Sequence, residues 1–247
     1  MLLHGFGDDG SIWELMEARL GKHFRVYITD IPGSGLSELL PDSPGQPIRI
    51  EDYALAVHAL IEHEQLPPLP MIGHSMGGYI ALAFAELFPG CLTQLGLFHS
   101  TALADSEERK AMRTKALELI ERKGAPWFLR EVTPMNYHPA WREKNPGQMQ
   151  SILERLSNFS DTAITQYYRA IMNRPDRTSV LKNFNGPVLF IAGLHDQAVR
   201  PEQSLAECIH PRISQITLLQ ETAHTGMLEE PERAAAALLN FLQLAED

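Results

Sequence analysis

The stretch "MIGHSMGGYI", residues 71–80, sets Ser75 in a Gly-x-Ser-x-Gly pattern. By composition alone that pattern arises in roughly one chain of this length in fifteen, so its surroundings decide what it means. Before it runs "PLPMIG", a short apolar segment that predicts a buried strand. After it, residues 76–88 predict a helix stopped by Pro89-Gly90. A serine on a sharp strand-to-helix turn presents its hydroxyl above the sheet, at the N-terminus of the next helix. There the helix dipole and free N–H groups favour developing negative charge. Such a turn admits only small residues beside the serine, the role expected of Gly73, Gly77 and Gly78.

The pattern on either side extends this unit. Residues 1–3 are an apolar stub leading into the loop "HGFGDDG", and Ser11 to Glu14 has capping-box spacing that starts a helix to about Leu20. "FRVYIT" (24–29) predicts a strand, residues 30–47 a turn-rich loop, 50–65 a helix and "LTQLGLF" (92–98) a strand. From 106 to about 182 the periodicity is helical, without a convincing strand. Alternation then returns with a strand in "GPVLFIAG" (186–193), a helix over 201–209, a strand in "SQITLL" (214–219) and an alanine-rich helix over 231–244. Strands alternating with helices predict an α/β fold with a mostly parallel sheet covered on both faces. Residues 1–100 and 183–247 form its body, and 101–182 form a helical cap inserted between strands.

A chain of 247 residues with 44% apolar and 21% charged residues can bury a large core without staples. The two cysteines, Cys91 and Cys208, read as buried thiols rather than a disulfide or metal site. No stretch reads as a signal peptide or a membrane span, so a soluble cytoplasmic protein is expected. The net charge of −10 argues against nucleic acid as a partner. That charge is uneven: residues 101–182 carry 14 Lys and Arg against 10 Asp and Glu, a net of +4, and the remainder carries 7 against 21, a net of −14.

A serine nucleophile needs a base, and the base an orienting acid. Asp196, after the strand in "PVLFIAG", and His224, after "SQITLL", stand in the right order and at the same sheet edge as Ser75. Asp176 is the second choice of acid, but lies in the insertion. His195 adjoins Asp196 and should point elsewhere, His210 precedes its strand, and His74 should flank the turn. Two N–H donors are needed for an oxyanion. Met76, just after the serine, and Phe6, between Gly5 and Gly7, are the candidates.

Together these residues resemble the α/β-hydrolase superfamily, in its cap-bearing esterase, lactonase and haloperoxidase-like branch, over nearly the whole chain. "LLHGFG" with Trp13 looks like the oxyanion loop, and "DIPGSGLSE" like a loop in which Asp30 and Ser37 are structural. "GHSMGG" looks like the elbow, "PVLFIAGLHDQAV" like the acid loop and "AHTGMLEEPE" like the histidine loop. The resemblance implies a serine hydrolase with the triad Ser75, Asp196 and His224, without metal or organic cofactor, acting on a small or medium carboxylic ester, thioester or lactone. Other serine-triad chemistry (carbon–carbon bond hydrolysis, amide hydrolysis, haloperoxidase-like oxidation) and a non-enzymatic ligand receptor remain alternatives. Ala223 stands where the family commonly has glycine. The family usually has two strands before the one that here starts at Met1, so the sheet is expected to lack its usual first two strands. "FRVYIT" would then lie at an exposed edge, open to pairing in a homodimer.

The insertion supplies Trp127, Phe128, Met135, Tyr137, Trp141, Met149, Phe159, Tyr167, Tyr168 and Met172. Most should form the insertion's own core, and Trp127, Phe128, Met135, Tyr137 and Trp141 are the candidates for an apolar substrate pocket. Part of its positive charge is expected to face the acidic body.

Overall fold

The computed structural model describes residues 1–41 and 45–244. The loop expected over 30–47 includes residues 42–44, which lie outside the described residues. Six parallel strands, β1 (Leu2–Leu3), β2 (Ile28–Thr29), β3 (Leu69–His74), β4 (Leu92–Phe98), β5 (Val188–Gly193) and β6 (Ser214–Leu219), form one sheet in the order β2-β1-β3-β4-β5-β6. The chain moves outward from β1 to β2, crosses back to β3, and then proceeds in sequence. This reversal between β1 and β3 makes the topological switch point where open parallel sheets bind ligands, beyond the carboxyl ends of the strands. Ser75 and the loop after β1 both lie there.

Period-two burial explains the two layers. Along β5, Val188 and Phe190 join the core on one face, and Leu189 and Ile191 the core on the other. The helices Ile50–His63 and Met76–Leu87 cover the first face. Glu14–Leu20 and Pro231–Gln243 cover the second, the latter through Ala234, Ala235, Ala237, Leu238 and Phe241.

Between β4 and β5 the described chain is helical or irregular, with Glu107–Lys123, Ala125–Val132, Pro139–Lys144, Pro146–Arg155, Asp161–Asn173 and Thr178–Asn183 as its α-helices. Phe128, Leu129, Tyr167, Ile171 and Leu181 from this segment share one core with Met76, Tyr79 and Ile80 of the body. Its base is tied twice. Arg177 N donates to Ala102 O at 2.7 Å, joining the two stems, and the buried Arg177 guanidinium meets Glu86 at 3.0 Å and Glu51. The leading stem is held by Glu207, which accepts from Thr101 Oγ1 and, at 3.0 Å, from Ala102 N.

Three local expectations are corrected. "FRVYIT" is strand only over Ile28–Thr29, because β1 offers a ladder of two residues, Leu2 opposite Ile28 and Leu3 opposite Thr29. It is nevertheless the outer strand of the sheet among the described residues. The first helix is not capped by Ser11. Asp9 accepts from Ser11 N at 2.9 Å and caps a 3-10 turn, Gly10–Trp13, that precedes Glu14–Leu20. Cys91 and Cys208 are free thiols, but half-buried rather than buried. No helix among the described residues is long and apolar enough to cross a membrane.

Candidate active site

Ser75 lies between β3 and the helix Met76–Leu87 with φ 50° and ψ −114°, a left-handed conformation that non-glycine residues rarely hold. The neighbours enforce it. A Cβ on Gly73 would overlap the backbone of Gly77 and Gly78, and one on Gly78 would overlap the Ser100 hydroxyl. A Cβ on Gly77 would stand 2.5 Å from Leu3 O and 2.6 Å from His4 O. Ser75 N donates to Phe98 O at 3.0 Å, and Ser75 O accepts from Gly78 N at 2.9 Å and from Ser100 Oγ at 2.8 Å.

Asp196 follows β5 and is buried. Its Oδ1 accepts from the N–H groups of Ala198 (2.8 Å) and Val199 (2.9 Å), and its Oδ2 from His224 Nδ1 at 2.7 Å. Burial alone would raise its pKa, but the facing His224 and His99 hold the carboxylate well below the usual range. For His224, burial favours the neutral ring. The Asp196 charge outweighs this and raises its pKa above the ordinary imidazole value. His224 is fixed at its backbone too: its N donates to Asn136 O at 2.9 Å and its O accepts from His74 Nε2 at 2.8 Å. Nε2 makes no hydrogen bond among the described residues. The Ser75 hydroxyl and His224 are not hydrogen-bonded to each other. Asp176, the second choice of acid, instead accepts from Thr178 N at 2.9 Å at the head of a helix in the insertion. His195 packs its ring on His138, 4.4 Å between centroids.

The loop after β1 passes against the serine. A Cβ on Gly5 would lie 2.7 Å from His74 Nδ1 and 3.2 Å from Ser75 Cβ. The N–H groups of Phe6 and Met76 have no acceptor among the described residues. Beside them, Asp8 carries a carboxylate 3.9 Å from His74 Nδ1 that accepts no hydrogen bond among the described residues. Burial and the neighbouring Asp9 raise its pKa to about 7, against the pull of Arg155 and His224.

The chain's residues 1–237 match the sequence profile described as the alpha/beta hydrolase family. The chain belongs to that family. It is 25% identical over 252 residues to the pimeloyl-[acyl-carrier protein] methyl ester esterase of Yersinia pseudotuberculosis, covering 98% of this chain and 92% of the other. It is 26% identical over 255 residues to a monoacylglycerol lipase of Bos taurus, covering 98% and 74%. Among solved structures, a thermophilic esterase from Thermogutta terrifontis superposes with a TM-score of 0.92 at 27% identity, covering 100% of this chain and 89% of the other. An enol-lactonase from Burkholderia xenovorans shares the fold at a TM-score of 0.88 and 24% identity, covering 98% and 90%. The esterases and lipase among these relatives agree with the expected hydrolase activity on ester bonds.

The family's structural loop is also present in detail. Asp30 Oδ1 accepts from Gly10 N at 2.8 Å and Oδ2 from Leu36 N at 3.1 Å, and Ser37 Oγ donates to Asp30 O at 2.8 Å. The pocket candidates divide. Phe128 is buried against Tyr168, whose ring meets Phe6 edge-on at 4.5 Å. Tyr137 is buried and stacks on Trp141, whose Nε1 donates to Leu228 O at 3.2 Å beside the histidine loop. Trp127 and Met135 are corrected: they are 42% and 71% exposed, and Trp127 lies under Lys123 instead of in a pocket. The helix Ala125–Val132 buries Ala125, Phe128 and Leu129, and position 127 falls off that face.

Two residues of the site were not legible as such. Glu229 binds the histidine loop to the insertion, accepting from Ala223 N (3.2 Å), Thr225 N (2.9 Å) and His138 N (2.7 Å). His99, directly after β4, donates from Nδ1 to Asp196 Oδ2 at 3.0 Å. Its place at the same strand edge as Ser75 and Asp196 was the available signal. His99, Asp196 and His224 are close enough to share a metal ion. Their hydrogen bonds argue otherwise, since both ring N–H groups already point at the one carboxylate oxygen.

Proposed function

We propose that this chain hydrolyses a small or medium carboxylic ester, thioester or lactone through an acyl-enzyme on Ser75. The observation that carries the reading is the His224–Asp196 pair at 2.7 Å, at the same sheet edge as a serine strained into an elbow. Ser75 attacks the carbonyl carbon while His224 Nε2 takes its proton, and Asp196 holds the ring with Nδ1 protonated. The free N–H groups of Phe6 and Met76 receive the oxyanion. His224 returns the proton to the leaving alcohol, and water, activated by the same nitrogen, releases the acid. The Ser75–His224 contact is completed when substrate binds, as apo catalytic hydrogen bonds are often long. Residues 101–182 serve as the cap, with Tyr168 and Phe128 over Phe6 as an apolar wall. The experiment is labelling with a fluorophosphonate and a p-nitrophenyl ester assay. Ser75→Ala is expected to lose labelling entirely and to lower kcat about a million-fold. Labelling that persists in this variant overturns the reading.

A further inference from the structure

Asp196 Oδ2 accepts two histidine N–H groups, from His224 at 2.7 Å and from His99 at 3.0 Å. The triad accounts for the first only. The second is built with unusual constraint. His99 is completely buried and, like Ser75, holds a positive φ, 48°, that non-glycine residues rarely adopt. Its N donates to Ile191 O at 2.7 Å, so β5 fixes its backbone. Its other ring nitrogen, Nε2, accepts from Gly226 N at 3.2 Å. A backbone N–H can only donate, so Nε2 carries the lone pair and the proton sits on Nδ1, facing Asp196. One neutral ring thus joins the end of β4, the acid loop and the histidine loop two residues beyond His224.

We propose that His99 is a positioning residue of the site: its Nδ1–H fixes the Asp196 carboxylate, and its Nε2 fixes the loop that carries His224. This rests on the triad reading above. The bond has an electrostatic side. A donor on Oδ2 draws charge from the carboxylate and tempers its pull on the His224 proton. Burial holds His99 below the ordinary imidazole range against the opposing charge of Asp196, so it stays neutral while His224 titrates. The other titratable groups around the pair are His74 at the end of β3, Asp8 in the loop after β1, and Glu229 in the histidine loop.

Two variants separate the functions. His99→Asn keeps an N–H donor at the Nδ1 position and suits a positive φ, but loses the acceptor for Gly226. His99→Gln keeps an acceptor near Nε2 and loses the donor to Asp196. The readout is the pH profile of kcat/KM for a p-nitrophenyl ester. Without the donor, His224 binds its proton more tightly, so in His99→Gln the acid limb should rise by about 0.5–1 pH unit. Its kcat should fall about tenfold with KM nearly unchanged. In His99→Asn the limb should stay within about 0.2 unit. An unmoved limb in His99→Gln, or equal shifts in both variants, overturns the proposal. Should either variant fail to fold, nitrogen-15 NMR of the wild-type histidines decides. His99 is expected as the Nδ1–H tautomer, neutral across the titration of His224, and an Nε2–H tautomer refutes the assignment. Wild-type enzyme that takes no fluorophosphonate overturns the triad reading instead, and leaves the tautomer result standing.

Discussion

At the turn from β3 into the helix Met76–Leu87 the backbone is held by contacts too close to admit a methyl group, whereas the insertion 101–182 is held at its base by charge. A Cβ at Gly73, Gly77 or Gly78 meets backbone or the Ser100 hydroxyl. At the base of the insertion, Arg177 meets Glu51 and Glu86, and Glu207 takes the leading stem. Farther out, Arg155 donates to Ser11 Oγ at 2.5 Å, beside Asp8 and Asp9. Steric fixing gives a geometry without dependence on salt or pH. Charge fixing gives an attachment that responds to both. The two regions should therefore fail separately, the first in chemistry and the second in stability.

The largest effect expected is at the first region. Asp196→Asn should lower kcat about 1,000- to 10,000-fold, because an amide no longer imposes Nδ1–H on His224. Its thermal midpoint should change far less than its rate. A parallel collapse of Tm would break the comparison, by making the carboxylate a fold determinant first. The wild-type acid limb should lie above the ordinary imidazole value, since Asp196 raises the His224 pKa.

Arg177→Met tests the second region. Removing Arg177 leaves the part-buried Glu51 without its ion-pair partner, with only Arg49 acting on it from farther off, which costs about 3 kcal/mol. For a chain of this size that lowers Tm by about 6–12 °C. Turnover of a small ester at 25 °C should stay within about threefold if the stem is only an attachment. Burial opposes ionisation of Glu51, but its backbone N–H and Arg177 prevail and lower its pKa. That stabilisation is present above the unfolded carboxylate value and is lost as pH falls. The Tm difference between wild type and variant should therefore shrink in acid. A difference that persists unchanged at low pH assigns the loss to packing instead.

The smallest effect lies where the regions meet, at Asp8. With a pKa raised to about 7, its carboxyl holds a proton that the unfolded chain has released, so wild-type stability falls as pH rises from about 4 to 7. Asp8→Asn removes this slope. The variant should melt about 2–4 °C above wild type at pH 8 and show no advantage at pH 4, allowing for the part of the side chain open to solvent. An equal shift at both values would mean that ionisation is not involved.

What could be read from the sequence follows the same division. The strands "LTQLGLF" and "SQITLL" were legible to the residue because apolar patterning sets them. The placement of Ser75, Asp196 and His224 at one sheet edge was legible because each follows a strand. The length of β2 was not, since it depends on how much of β1 pairs with it. Ser11 lost the cap to Asp9 because capping spacing alone does not distinguish two adjacent acceptors. Trp127 and Met135 were misplaced because an aromatic or sulfur side chain in a helical segment says nothing about which face is turned inward. His99 escaped notice because its role lies wholly in neighbours about 100 and 127 residues away in sequence.

Ser75 and His99 are two of the three non-glycine residues with positive φ among the described residues, and Gln65, after a helix, is the third. Each such residue carries strain of about 1–3 kcal/mol. Replacing Ser75 by glycine would relieve that strain and remove the proposed nucleophile in one step. Selection for heat resistance alone would thus favour dead enzymes at this position, and a lineage released from its substrate would be expected to lose the serine early. A serine held at φ 50° is thus stability forgone at the one place where the proposed chemistry needs a hydroxyl.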